Sequence, residues 1–204
     1  MMPMRAVNPL NEQAACYDMK SPLLFGVLQA LDARVELLDL APPNSNVLDY
    51  FSSYHCKLHL PACRDALLNL DATAEDQPPL TEVFRRYIPL AEGKPCSLDL
   101  LLLWDLPNYL DRSVLAALIT YLMPYVSVGT VLHTYIHTRQ RMPESPGNYR
   151  LTREHTVTVE MAATWRASSQ LYYQELMNKV FAPFRVDRGM LLGNGLQEYL
   201  LHLK

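Results

Sequence analysis

The segment Asp99 to Trp104, DLLLLW, is a continuous apolar run of the kind a central parallel strand needs, because helices cover both faces of such a strand. The flanking sequence supplies those helices. Ser21 with Pro22 forms an N-cap and first-turn pair for a helix through Leu31, and the apolar run Val35 to Leu40 follows as a first strand. Asn44 or Ser45 caps a short helix through Tyr54, and Cys56 to Leu60 reads as a strand, which completes a first βαβ unit. Between Pro61 and Pro89 the pattern is helical, in CRDALLNL and LTEVFRRYI, with no third strand. A helix from Arg112 to Tyr125 and a strand from Thr130 to His137 come after the central run. Ser168 and Ser169 precede a helical stretch, Gln170 to Phe181. Finally, Phe184 to Leu192 and Leu196 to Leu203 flank Gly193-Asn194-Gly195, a hairpin signal. The alternation predicts a three-layer α/β sandwich with right-handed crossovers. Residues 21–204 form its one domain, after an N-terminal extension over residues 1–20.

Composition narrows the classes of function. A chain of 204 residues with 50% hydrophobic residues buries a full core, hiding roughly 70% of its unfolded surface. Lys+Arg 18 against Asp+Glu 21 gives a net charge of −3, so no global basic field draws it to nucleic acid or to anionic lipid. Cys16, Cys56, Cys63 and Cys96 lack the paired spacing of a disulfide framework, and MMPMRAVNPLNEQ lacks an apolar signal core. A reducing cytoplasm is the expected compartment. The apolar stretch Ser113 to Ile136 is broken by Pro124, Ser127 and Gly129, and is expected to be a helix, a turn and a strand rather than a membrane span. No GxSxG, HExxH or GxxxxGK motif is present.

The run LDLLLLWDLPNYL, from Leu98 to Leu110, resembles the fourth strand and following turn of class I S-adenosylmethionine-dependent methyltransferases. MLLGNGLQEYLLHL resembles the antiparallel ending of their sheet. The resemblance covers roughly residues 21–204. It implies a three-layer Rossmann-like methyltransferase fold, with a mostly parallel sheet and a C-terminal antiparallel hairpin. It also implies a cofactor cradle after the first strand, where the family runs close to aspartate-glycine-x-glycine. Here the stretch is VELLDLAPPN, which keeps Asp39 but sets Ala41, Pro42 and Pro43 where the glycines belong. Each proline removes an N–H donor and fixes φ near −65°. At the end of the second strand the family carries an acid for the ribose hydroxyls, and LHLPAC has no carboxylate before Asp65. Both departures fall on one ligand. The expectation is therefore a pseudo-enzyme that binds or scaffolds, with no cofactor. The alternative is an active enzyme that holds S-adenosylmethionine by divergent contacts.

By this resemblance the cofactor-side positions are Asp39, Ala41, Pro43, Asn44 and Asp105. Asp39 either meets the cofactor's amino group or caps the next helix. The substrate- or partner-side positions are Trp104, Asn108, Tyr109 and His137, at strand ends where open α/β sheets place their crevice. Asp105-Leu106-Pro107-Asn108-Tyr109 is loosely similar to the Asp/Asn-Pro-Pro-aromatic turn of amino-group methyltransferases. His133 reads as a histidine satisfied by a neighbour. His55, Cys56, His59 and Cys63 are close in sequence, but on a strand His55 and His59 point away from Cys56, so no metal site is expected. Arg139, Arg141, Arg150 and Arg153 stand against Glu144 and Glu154 in a stretch that Pro143, Pro146 and Gly147 should keep irregular. This net basic loop suits a protein partner with acidic groups or a small anionic ligand, through forked hydrogen bonds.

Overall fold

The strand and helix signals fold as one layered unit in a computed structural model that describes residues 15–31, 34–71, 78–90, 97–152, 155–168 and 174–203. In chain order the elements are β1 (Ala15–Lys20), α1 (Pro22–Ala30), β2 (Val35–Asp39), α2 (Ser45–Phe51), β3 (Cys56–His59), α3 (Arg64–Leu68), α4 (Leu80–Tyr87), β4 (Leu98–Trp104) and α5 (Arg112–Leu122). Then come β5 (Val126–His137), β6 (Arg141–Pro143), β7 (Asn148–Leu151), β8 (Thr156–Met161), β9 (Trp165–Ala167), α6 (Gln174–Val180), β10 (Phe184–Leu191) and β11 (Leu196–Leu203).

A six-stranded sheet runs in the order β10-β11-β5-β4-β2-β3. The pairs β2–β3, β2–β4 and β4–β5 are parallel, while β11 runs antiparallel to both β5 and β10. This is the mostly parallel sheet with a C-terminal antiparallel hairpin that the sequence predicts. Among the described residues between Pro61 and Pro89 there are two helices and no strand, so β3 forms the sheet's edge there.

Strand parity sorts the apolar residues into two cores. Leu38, Leu101, Leu103, Leu132 and Ile136 face α3, α4, α5 and α6, where Leu67, Phe84, Leu118 and Met177 are buried. Leu37, Leu100, Leu102, Trp104 and Tyr135 face α1 and α2, where Leu24, Leu28, Val47 and Phe51 are buried. No described helix is long and apolar enough to cross a membrane.

One expectation fails. The stretch after β5, read as an irregular loop, is largely strand: β7 pairs with β8, β8 with β1, and β6 with β9, all antiparallel. The reason is a period-two pattern in which Tyr149, Leu151, Val157, Val159 and Met161 are buried while Arg150, Thr158 and Glu160 are not. These side chains pack into the second core. Residues 15–20 add β1 to the same small sheet, with Met19 buried in that core. Arg153, Glu154 and Ser169 lie outside the described residues, as does Cys96.

The helix starts divide as well. Asn44 caps α2 as expected, its Oδ1 accepting from Val47 N at 3.0 Å. Ser21 does not cap α1 with its side chain. Glu198, from β11, does so instead by accepting from Leu23 N (3.2 Å) and Leu24 N (2.9 Å). Ser21 Oγ donates to Glu198 Oε1 at 2.5 Å, Tyr135 donates to Ser21 Oγ at 2.6 Å, and His133 Nε2 lies 3.1 Å from Glu198 Oε1. A fully buried carboxylate thus ties α1 to β5 and β11.

Candidate functional site

Strand order reverses between β2 and β4, since the chain leaves β2 for β3 on one side and returns to β4 on the other. A crevice is expected outside the carboxyl ends of the strands at such a switch point. Asp39 ends β2, and Trp104 with Asp105 ends β4. Trp104 sits at φ 52°, a left-handed conformation for a bulky residue, while its carbonyl accepts from Thr134 Oγ1 at 2.7 Å.

Asp39 is fully buried and makes its bonds within its own chain: Oδ1 accepts from Trp104 Nε1 (2.6 Å) and Ala41 N (2.8 Å), and Oδ2 has no partner among the described residues. It does not cap α2, because Asn44 does. Burial pushes its carboxyl up to about 6 against hydrogen bonds from Ala41 and Trp104 that pull the other way. With the folded value above the ordinary 3.8, this group's contribution to stability is complete below 3.8 and is lost as pH rises through about 6. The unfolding free energy of the wild type, relative to Asp39→Asn, should therefore fall between about pH 4 and pH 7. Denaturation of both proteins across that range checks this, and a constant difference would contradict it.

The remaining cofactor-side positions are similarly committed. Ala41 is buried in the second core and Pro43 is exposed. Asn44 Nδ2 donates to Pro42 O (3.2 Å) and, at 3.5 Å, to Tyr149 O of β7. Arg64, at the start of α3, donates to Asn148 Oδ1 at 2.7 Å. These contacts fasten β7 across the crevice. The Tyr149 ring stacks on Trp104 at 4.9 Å and 11°, and on Tyr135 at 5.4 Å and 27°. Beside the Pro42-Pro43 loop lies a notch of about 100 Å³ lined by Pro42, Pro43, Ala62, Arg64 and Asp65, and past the ends of β2 and β3 a hollow of about 270 Å³ that includes Leu38, His59 and Leu60, whereas small-molecule sites run about 300–1,000 Å³.

On the β4–β5 side, Asp105, Asn108 and His137 are buried and Tyr109 is half-buried. Asn108 is a brace: Nδ2 donates to Asp105 O (2.7 Å) and Tyr135 O (2.9 Å), and Oδ1 accepts from His137 N (2.9 Å). Asp105 Oδ2 accepts from Gly147 N (3.1 Å) and lies 3.7 Å from His137 Nε2. Tyr109 meets His137 edge-on at 6.4 Å, and the Arg166 guanidinium of β9 lies 5.0 Å from its ring centre. Burial pushes the Tyr109 phenol up, with the Asp105 charge adding to it. Asp105 Oδ1, Tyr109 OH, His137 Nε2, Tyr149 OH and Arg166 Nε are buried without a hydrogen-bond partner inside 3.5 Å among the described residues. Each such atom costs about 1–3 kcal/mol if it stays unpaired.

The arginines are not brought together in one site. Arg150 pairs with Glu160 at 3.0 Å on the exposed face of the small sheet. Arg139 lies over the hairpin turn, where a Cβ on Gly195 (φ 86°) would be 2.5 Å from its Nε. Arg141 is exposed on β6. Tyr149, Gly147, Arg166 and Glu198 were not among the sequence candidates, and only the alternation around Tyr149 offered a signal. His133 meets Glu198 through Nε2, the neighbour contact the sequence suggested, while its buried Nδ1 has no hydrogen-bond partner among the described residues. His59 meets Glu36 at 2.6 Å, and burial pushes the Cys63 thiol up to about 12. Among the described residues no three metal-ligating side chains converge.

No family model matches the chain, and no curated protein matches it. Among solved structures it is similar to the glycopeptide N-methyltransferase MtfA complexed with S-adenosyl-L-methionine, at 11% identity over 99% of this chain and 100% of that one, with a TM-score of 0.47. It is also similar to the DhpI–SAH complex, at 13% identity over 89% and 83% of the two chains and a TM-score of 0.47. A third is the Burkholderia thailandensis 1,6-didemethyltoxoflavin-N1-methyltransferase, at 8% identity over 90% and 76% and a TM-score of 0.46. These likenesses concern the fold alone. The strand order β3-β2-β4-β5-β11-β10, parallel from β3 to β5 with an antiparallel ending, gives this chain a Rossmann-like α/β fold.

Proposed function

We propose that this chain is a methyltransferase-like binding or scaffold protein that does not use S-adenosylmethionine. The observation that carries the reading is the Tyr149 ring stacked on Trp104, with β7 fastened to Asn44 and Arg64 across the crevice. A cofactor would have to displace a fully buried aromatic ring and the strand that bears it. Three further features support it. Pro42 and Pro43 lack the N–H donors of a glycine cradle. Asp39 is bonded to its own chain and, within the described residues, has no cation beside it. The segment after β3, Leu60-Pro61-Ala62-Cys63, carries no acid to hold ribose hydroxyls.

The residues present do not fit the cofactor, so no methyl-transfer step follows from them. Binding falls instead to the surface that β6–β9 builds over the sheet's carboxyl edge. Arg139 and Arg141 are exposed there and suit a protein partner with acidic groups or a small anionic ligand. Cys16, Cys56 and Cys63 are free thiols, which suits action in a reducing cytoplasm. Calorimetric titration with S-adenosylmethionine tests the reading, and no saturable heat is expected. Micromolar binding would restore the active-enzyme alternative, in which Asp39 and Asp105 contact the cofactor and Tyr109 or His137 lies near the acceptor.

A further inference from the structure

We infer that α1 is a two-fold interface, with α1 of a second copy of this chain lying in the groove between α1 and the β10–β11 face beside it. The surface is separate from the crevice and does not depend on how the crevice is read. Alone among the described helices, α1 carries no charged residue, and Gln29 is its one polar side chain. A helix that is apolar all round belongs in an interior. Yet only Leu24, Phe25 and Leu28 are buried, while Leu23 and Val27 are half-buried and Gly26 and Ala30 are exposed. That flank is one wall of a groove of about 410 Å³, with Val131 and Leu200 in its floor and Asp187, Arg188 and His202 on its far rim. Glycine inside a helix destabilises it relative to alanine, and nothing within one copy requires Gly26, since a Cβ there would meet no atom within 4 Å.

The walls select the occupant. A charged residue turned onto Val27, Val131 or Leu200 would be desolvated without a partner, and every other described helix of this chain carries at least one. Only α1 matches the groove that α1 lines, which is the self-complementarity a two-fold interface needs. Gly26 is the middle residue of Pro22–Ala30, so a two-fold axis through the helix centre sets the two Gly26 backbones against each other. Charge agrees with the antiparallel arrangement that the axis imposes. Glu198 holds the amino end of α1 through Leu23 N and Leu24 N, and His202 lies four residues farther along β11, about 13 Å. Leu23 and Leu31 are about 12 Å apart along the helix, so His202 and Asp187, 3.7 Å from each other, stand toward its carboxyl end. The antiparallel pairing brings the amino end of the second α1 there, with exposed Lys20 just before it, opposite Asp187.

The test is sedimentation velocity of the full chain at micromolar concentrations. The wild type should sediment as a dimer and Gly26→Glu as a monomer. This variant keeps the fold, because the added side chain has open space in one copy and helices favour glutamate over glycine, which circular dichroism checks. Ala30→Glu, exposed on the same flank, should act alike and serves if the first variant does not fold. Asp187→Lys or Lys20→Asp alone should raise the dimer dissociation constant about tenfold, and the two together should restore it. A wild type that stays monomeric would leave the groove to a different partner and overturn the inference. So would a dimer that both glutamate variants leave intact. Charge reversals that fail to rescue each other would overturn the antiparallel pairing, and the inference with it.

Discussion

Tyr149→Ala is expected to lower the unfolding free energy by about 3–5 kcal/mol, the range for removing a large aromatic side chain from a packed interior. The ring is fully buried against both Trp104 and Tyr135, in a core that also holds Leu24, Leu37 and Leu102. Its loss leaves a void beside the two remaining rings. Tyr149→Phe keeps the ring and removes a hydroxyl that has no hydrogen-bond partner among the described residues, so its cost should stay below about 1 kcal/mol. Denaturant unfolding followed by tryptophan fluorescence compares the two variants. If alanine costs no more than phenylalanine, Tyr149 is not packed across the crevice.

Glu198→Ala should be similarly severe, about 3–5 kcal/mol, because removing one member of a buried, bonded charge network strands the others. Ser21 Oγ, the N–H groups of Leu23 and Leu24, and His133 Nε2 would all lose their acceptor. Burial alone would raise this carboxyl, but the bond and charge of His133, with bonds from Ser21 and Leu24, hold it below its ordinary value of 4.5. A lowered value means the stabilisation is present above 4.5 and is lost as pH falls through the lower folded value. The gap between wild type and Glu198→Gln should therefore narrow in acid, as measured by denaturant unfolding at neutral pH and near pH 3. A gap that stays constant or widens in acid would contradict a lowered Glu198 carboxyl.

The parallel strands were legible because apolar runs bounded by helix caps leave few alternatives. LDLLLLW needs cover on both faces, and the helical patterns around it supply that cover. The GNG hairpin was legible for the same local reason, a turn that glycine makes easy. The crevice was legible only on its sheet side. Asp39, Trp104 and Asp105 end their strands as expected, but what they touch is set by residues more than forty positions away. Asp39 bonds Trp104, Asp105 bonds Gly147, and Trp104 stacks on Tyr149. The strands of residues 141–167 are masked in the sequence because arginines, prolines and a glycine interrupt the period-two alternation of Tyr149, Leu151, Val157 and Val159. Glu198 was missed because its partners come from α1, at the other end of the sequence.

Calorimetric titration of the wild-type protein with S-adenosylmethionine bears most directly on the closed crevice. With Tyr149 on Trp104 and prolines in the loop after β2, no saturable binding should appear in the micromolar range. A dissociation constant of a few micromolar, about −8 kcal/mol, would contradict a crevice closed by the chain's own strand.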